Sequence, residues 1–352
     1  MHKKRPLKRF VLQVIKTIGG FVLCHKHTAK ALRILCYHGI SLDDEHKFRE
    51  MLFMTPDLFR KRMEWLKARG FKVLGLGEAV SSLYAGDLPE NAIVITFDDG
   101  WYGVYKHALP ILSSLGFTAT VYANSYYMEK ETFVYNLFVP YLFWRTKAKV
   151  LDLDQLGHGL KGHYCLESME QRDAVVRQLI QFGDEQLCAL ERQSFALDLA
   201  KYLIEDGESM ERNRVMTLMA RQEIADSVCR GFDVQLHTHT HRLSLEDEAV
   251  VQREIQLNRD ALGPLVKKEL THFCYPSGIY SQDLFPWLER MGIHTATTTK
   301  PGLNYPDSHP LELSRFLDNE DISELEFHAE VYGVLELFRK GRFLFSRLGV
   351  SE

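Results

Sequence analysis

The sequence predicts an α/β fold, either an open parallel sheet or a (β/α) barrel, interrupted by a helical insertion. Three observations carry this expectation. Short apolar runs alternate with amphipathic stretches over 33–124 and again over 221–320, the order that parallel strands joined by crossover helices require. Between them, at about 125–220, the text turns irregular and mostly helical. Polar residues with chemistry gather where apolar runs stop, as in barrels whose reactive groups sit at the ends of strands.

The elements follow in order. "RILCYHGI" (33–40) reads as a strand, and "TPDLFRKRMEWLKARG" (55–70) as a helix capped by Thr55, opened by Pro56 and stopped at Gly70. "FKVLGL" (71–76) predicts a strand, "EAVSSLYAG" a short helix and "NAIVITF" (91–97) a strand. "YKHALPILSSLG" then predicts a helix and "FTATVYAN" (117–124) a strand. The inserted block opens on the aromatic stretch "TFVYNLFVPYLFW", whose helical spacing marks core more readily than sugar-stacking rings. Its histidines, His158 and His163, fall in Gly-rich text that reads as loop. Alternation resumes with helix "RQEIADSVCRG", strand "FDVQL", a long helix from Ser244 and strand "THFCYP". Helix "QDLFPWLERMG", strand "IHTATTT", a short strand near "LELSRFL" and a helix from Ile322 complete the chain. No internal repeat or low-complexity linker divides it.

A composition of 45% apolar and 26% charged residues excludes a disordered chain and gives ample core. The net charge of −4 hides an asymmetry: residues 1–42 hold nine Lys or Arg and no acid. Residues 1–32 therefore form a basic helical segment ahead of a domain spanning 33–352. Its apolar run "RFVLQVIKTIGGFVLC" (9–24) is interrupted by Lys16 and is shorter than the ~20 residues of a membrane span. It also lacks the clean apolar centre of a signal peptide. A basic amphipathic helix on an anionic membrane face is the expectation, through residues 1–33, against the alternative of a helix packed on the domain. The six cysteines form no CxxC and no even framework, so they predict reduced, mostly buried thiols and a cytoplasmic protein, possibly peripheral on the inner membrane face. A phosphate loop and a basic groove with aromatics are both missing from the sequence, so no nucleic acid partner is expected.

Two stretches carry the chemistry. "VITFDDGW" (94–101) ends an apolar strand on two adjacent carboxylates, Asp98 and Asp99, although Asp is a poor strand residue. "DVQLHTHTHRL" (233–243) places His237, His239 and His241 directly after another strand. In an extended chain all three imidazoles share a face; in a turn, His237 and His241 converge instead. A carboxylate with two imidazoles is the mixed ligand set of a catalytic Zn²⁺ or similar ion, which keeps three protein ligands and leaves room for water.

"TFDDG" (96–100) followed by "HTHTH" (237–241) resembles the first two motifs of the polysaccharide deacetylases, carbohydrate esterase family four. The resemblance covers roughly 33–124 and 221–320. It implies a distorted (β/α)7 barrel, with Asp98 as base and Asp99, His237 and His241 holding a divalent metal, Zn²⁺ first, with Co²⁺, Ni²⁺ or Fe²⁺ as alternatives. Thr238 occupies the motif's Ser/Thr position, and His239 sits at the rim. The third motif departs from the family's usual R-x-P-Y-G: "FCYPSGIY" (273–280) keeps Tyr275, Pro276 and Gly278 but has Cys274 and Ser277 where Arg and Tyr are usual. Arg315 in "LELSRFL" is the candidate to orient Asp98, and main-chain N–H groups near Ser277 the candidates to hold an oxyanion. The family's last motif, L-x-x-H, has no match near the C-terminus, where His328 reads as a solvated or core histidine within a helix. "LCYH" (35–38) fits it at the start of the chain, as in the permuted biofilm-polysaccharide deacetylases. That places Leu35 in the pocket wall and makes His38 the general acid. The activity implied is hydrolysis of an N-acetyl group on an amino sugar of a polysaccharide or lipid-linked glycan precursor. An O-acetyl esterase and a silent glycan-binding relative are the alternatives.

Overall fold

The computed structural model describes residues 5–347, with side chains over 6–341. Two helices come first, α1 (Arg5–Thr17) and α2 (Gly20–Thr28), separated at Gly19, whose φ of +80° breaks the helix. The core strands, in chain order, are β1 (Arg33–Tyr37), β2 (Lys72–Val73), β3 (Ala92–Phe97), β4 (Thr120–Ala123), β5 (Asp233–Leu236), β6 (His272–Cys274), β7 (Thr295–Thr297) and β8 (Phe316–Leu317). Helices between them include α3 (Pro56–Ala68), α4 (Leu76–Ala85), α5 (Leu109–Leu115), α6 (Tyr135–Arg145), α7 (Met169–Gln186) and α8 (Ala189–Leu203). After these come α9 (Arg221–Cys229), α10 (Glu248–Leu262), α11 (Phe285–Arg290), α12 (Glu324–Val331) and α13 (Val334–Arg347).

The sheet runs β7-β6-β5-β4-β3-β1-β8, with β2 paired to the start of β3, and every pairing in it is parallel. Parallel strands need both faces covered, which explains why β1, β3, β4 and β5 are buried at every residue. The two ends of the path are drawn together. The Leu313 N–H donates to the Ala296 carbonyl and the Thr298 N–H to the Leu313 carbonyl, just before β8. The result is the curled, distorted barrel expected, seven strands on the path and the short β2 beside it.

Local chemistry accounts for the elements. The Thr55 hydroxyl accepts from the Leu58 N–H, capping α3 ahead of Pro56 as predicted. The helix expected from Ser244 begins at Glu248 instead, because the Asp247 carboxylate accepts from the Ala249 and Val250 N–H groups and makes the cap there. The inserted block is mostly helical but also holds an antiparallel hairpin, Val150–Asp152 with His163–Cys165, so His163 lies in a strand and not in a loop. Its aromatic helix, α6, is core: Phe138 is buried and stacks on Phe133 with centroids 3.8 Å apart. The cysteines depart from expectation. All are free, but Cys165, Cys188 and Cys229 are exposed, because each stands at an element end on the surface.

The N-terminal helices are fastened to the last two. Leu12 and Phe21 pack with Ala329 and Val334, and Lys8 Nζ lies 3.0 Å from Glu326. At the junction, the buried Arg33 donates to the Val331 and Ala31 carbonyls and the Thr28 hydroxyl. Burial without a carboxylate partner lowers its pKa to about 10.

Candidate active site

A cleft of about 830 Å³ opens where β1, β3, β5, β6 and β8 end. Strand β3 delivers Asp98 into it and then turns sharply, with Asp99 at φ +70°. Thr238, His241 and Ser277 share that left-handed conformation, so four of the eight described non-glycine residues with positive φ belong to this site. Such backbone is held only where the surroundings over-determine it, and it concentrates at functional sites.

Asp98 is 3% exposed and enclosed by four groups. Arg315 grips it in a fork, Nη1 to Oδ1 and Nη2 to Oδ2, both at 2.7 Å. The thiols of Cys36 and Cys274 each donate to Oδ2 at 3.4 Å. His38 Nε2 stands 3.8 Å from the same oxygen. Burial alone would raise the pKa of Asp98, but the Arg315 charge and its two hydrogen bonds prevail and hold the carboxyl well below the usual range. Arg315 is itself locked, its Nε donating to the Thr298 carbonyl and Nη1 to the Thr96 hydroxyl.

Asp99 faces the other way. Its Oδ1 lies 3.3 Å from both His237 Nε2 and His241 Nε2, while Oδ2 accepts from Trp101 Nε1 at 2.8 Å. The His237 Nδ1 is 2.8 Å from the Cys274 carbonyl, which only accepts; Nδ1 therefore carries a hydrogen and Nε2 is the nitrogen that faces Asp99. Burial lowers the pKa of His241, keeping that imidazole neutral and fit to ligate. One carboxylate and two imidazoles whose nitrogens point at one spot fit a divalent transition metal, Zn²⁺ among them. His239 stays out of this set, with Nδ1 2.9 Å from the Ser125 hydroxyl. The HTHTH run thus turns rather than extends, and His237 and His241 converge at i and i+4.

The third motif forms a tight turn in which Gly278 N–H donates to the Tyr275 carbonyl. Gly278 has φ +66°, and a Cβ there would lie 2.2 Å from Thr299 Oγ1, so only glycine fits. Tyr275, Ser277 and Gly278 line the cleft, whereas Pro276 is buried beneath it. The Tyr275 hydroxyl is committed to the Leu311 carbonyl at 2.9 Å.

Leu35 is a correction. It is 1% exposed in the main hydrophobic core and does not line the cleft. Alternation along β1 is the reason: Cys36 and His38 point inward to Asp98, so Leu35 and Tyr37 point to the opposite face. Sequence reasoning also missed several contributors. The sequence marks the cysteines as buried thiols without placing Cys36 and Cys274 against Asp98, and it gives Trp101 no role at Asp99. The inserted block supplies a cleft wall through Tyr126, Tyr127, Asn136, Asp184 and Arg192. Within it, Arg192 donates to the Tyr126 hydroxyl at 2.9 Å and pairs with Asp184 at 3.3 Å.

Comparison with known proteins matches residues 85–171 and 201–296 to the polysaccharide deacetylase family. The Bacillus subtilis (strain 168) protein YxkH is 35% identical over 122 residues, 34% of this chain and 42% of that one. The poly-beta-1,6-N-acetyl-D-glucosamine N-deacetylase of Escherichia coli (strain K12) is 28% identical over 80 residues, 22% of this chain and 12% of that one. These matches span less than half the length of either relative. A Streptococcus pyogenes deacetylase, PplD, solved in complex with acetate, shares the fold with a TM-score of 0.57 at 17% identity, covering 86% of this chain and 98% of that one.

Proposed function

Because the chain belongs to the polysaccharide deacetylase family, we propose that it is a metal-dependent hydrolase that removes the N-acetyl group from an amino sugar. The observation that carries this reading is the division of labour between the adjacent carboxylates. Arg315 and two thiols hold Asp98, while Asp99 is turned toward the two imidazoles of His237 and His241. The name of the Escherichia coli relative, a poly-beta-1,6-N-acetyl-D-glucosamine N-deacetylase, supports an N-acetylated polysaccharide as substrate class.

Asp99, His237 and His241 are the residues that would hold the metal. When bound, it supplies Lewis acidity at the carbonyl and lowers the pKa of water. Asp98, kept ionised by Arg315, accepts a proton from the water that adds to the acetyl carbon. The main-chain N–H of Ser277 itself, with those of Tyr275, Gly278 and Ile279 already bonded, receives the charge that develops on the carbonyl oxygen. His38, whose Nε2 stands 3.8 Å from Asp98 Oδ2, gives a proton to the sugar nitrogen as the C–N bond breaks, leaving acetate and a free amine. The buried thiols of Cys36 and Cys274 donate to Asp98 Oδ2 beside Arg315 Nη2 and help hold the carboxylate in place.

The test is acetate release from N-acetylglucosamine oligomers and from O-acetylated sugars, before and after chelation and on metal return. Release from the N-acetyl substrates that chelation abolishes and metal restores is the expected result. Release confined to O-acetyl esters, or unaffected by chelation, would overturn the reading.

A further inference from the structure

Helix α1 turns an apolar face away from the protein. Leu7, Phe10, Val11 and Val14, with Ile18 just beyond, are 41–76% exposed. At 3.6 residues per turn they fall within an arc of about 100°. The Ile18 N–H donates to the Val14 carbonyl, so the helical path continues through it. Leu12, on a different arc, is the residue that packs on α12 and α13. Val22 and Leu23 of α2 are likewise exposed, so seven of the eighteen exposed large apolar side chains among the described residues lie within 7–23. Scattered exposed leucines need no explanation, but a contiguous stripe does.

The charges nearby select what can cover it. Residues 5–32 hold six Lys or Arg and no acid, and Lys8, Arg9, Lys16, Lys26 and Lys30 are all exposed. A second copy of the chain seated face to face would bring two such cationic sets together with no carboxylate from either helix to neutralise them. Among the described residues no helix is long and apolar enough to cross a membrane. We infer that α1 and α2 form an in-plane membrane anchor. The apolar stripe enters the headgroup and acyl boundary of an anionic bilayer while the exposed lysines other than Lys8, which pairs with Glu326, meet its phosphates. The barrel then hangs from the flank formed by α1, α2, α12 and α13.

Flotation of the full chain with vesicles tests this. Binding is expected to phosphatidylcholine vesicles containing about 30% phosphatidylglycerol, with much less to pure phosphatidylcholine. Raising salt from about 50 mM to about 500 mM should weaken it, because the Debye length contracts severalfold. The double variant Phe10→Glu/Val14→Glu should lower the bound fraction at least about tenfold, because both side chains lie on the inserting face. Its melting curve should match the parent's, since neither side chain packs on the domain. The inference is overturned if the parent fails to float with anionic vesicles at low salt, or if the double variant floats equally well. It is also overturned if sedimentation shows a dimer that the variant dissociates, which would assign the stripe to a second copy.

Discussion

Arg315 and Asp98 stand 217 residues apart in the chain and meet through two hydrogen bonds of 2.7 Å, fully buried. The guanidinium fork matches the carboxylate edge to edge, so orientation and charge are set by one contact. It reaches Asp98 beside the Cys274 thiol of the altered third motif, which lies 3.1 Å from Arg315 Nη2. Arg315→Lys should keep the charge but lose the fork, and kcat/KM is expected to fall about ten- to a hundredfold, the loss of one charged hydrogen bond of about 1.5–3 kcal/mol. Arg315→Met should leave Asp98 buried and unpaired, lowering unfolding stability by about 3–5 kcal/mol in denaturant titrations. Equal stability of parent and Met variant would show that the pair carries no such weight.

The acid and base are separable from the metal. Asp98→Asn is expected to retain metal and lower turnover by about two to four decades. His38→Ala should behave likewise. Metal analysis beside single-turnover acetate release distinguishes a lost proton-transfer group from a lost ion.

His241→Ala should remain folded but bind metal weakly, since three protein ligands become two. Stoichiometric metal after dialysis of that variant would remove His241 from the ligand set. His239→Ala, whose imidazole bonds to Ser125, should keep metal at the parent's level.

His328 links stability to pH. Burial, with Lys16, Arg62 and Arg69 adding repulsion, lowers its pKa from 6.5 to about 4, and its ring stacks on Trp65 at 4.0 Å between centroids. A depressed folded-state pKa gives stability that is complete above pH 6.5 and lost as pH falls through about 4. His328→Phe keeps a ring on Trp65 and should remove up to about 3 kcal/mol of the acid-induced loss across that window. Identical stability–pH curves for the two proteins would contradict this.

Much of the barrel was legible because its strands are short apolar runs that end on glycine, proline or acid. The DDG and HTHTH stretches stood out because polar residues at the ends of buried strands require a reason. Their convergence on Asp99 depended on a turn at Thr238 and His241 that sequence spacing left open. Leu35 failed as a pocket residue because a motif fixes spacing, whereas strand alternation fixes which face each residue takes. The thiols beside Asp98 were invisible, since a lone buried cysteine resembles any small apolar side chain. The cleft wall from the inserted block could not be read either, because Arg192 and Tyr126 meet only through packing between separate helices.

The place of β1 in the sheet bears on how the enzyme is made. This first strand lies between β3 and β8, with Leu35 in register with both Ile95 and Phe316. One edge of β1 therefore stays unpaired during synthesis until residues near 316 emerge. The same late segment carries Arg315. A nascent chain can hold Asp99, His237 and His241 yet still lack the guanidinium that grips Asp98. The fork that grips Asp98 therefore forms only with the closing of the sheet. The open edge of β1 is where a stalled chain is most exposed to misassociation.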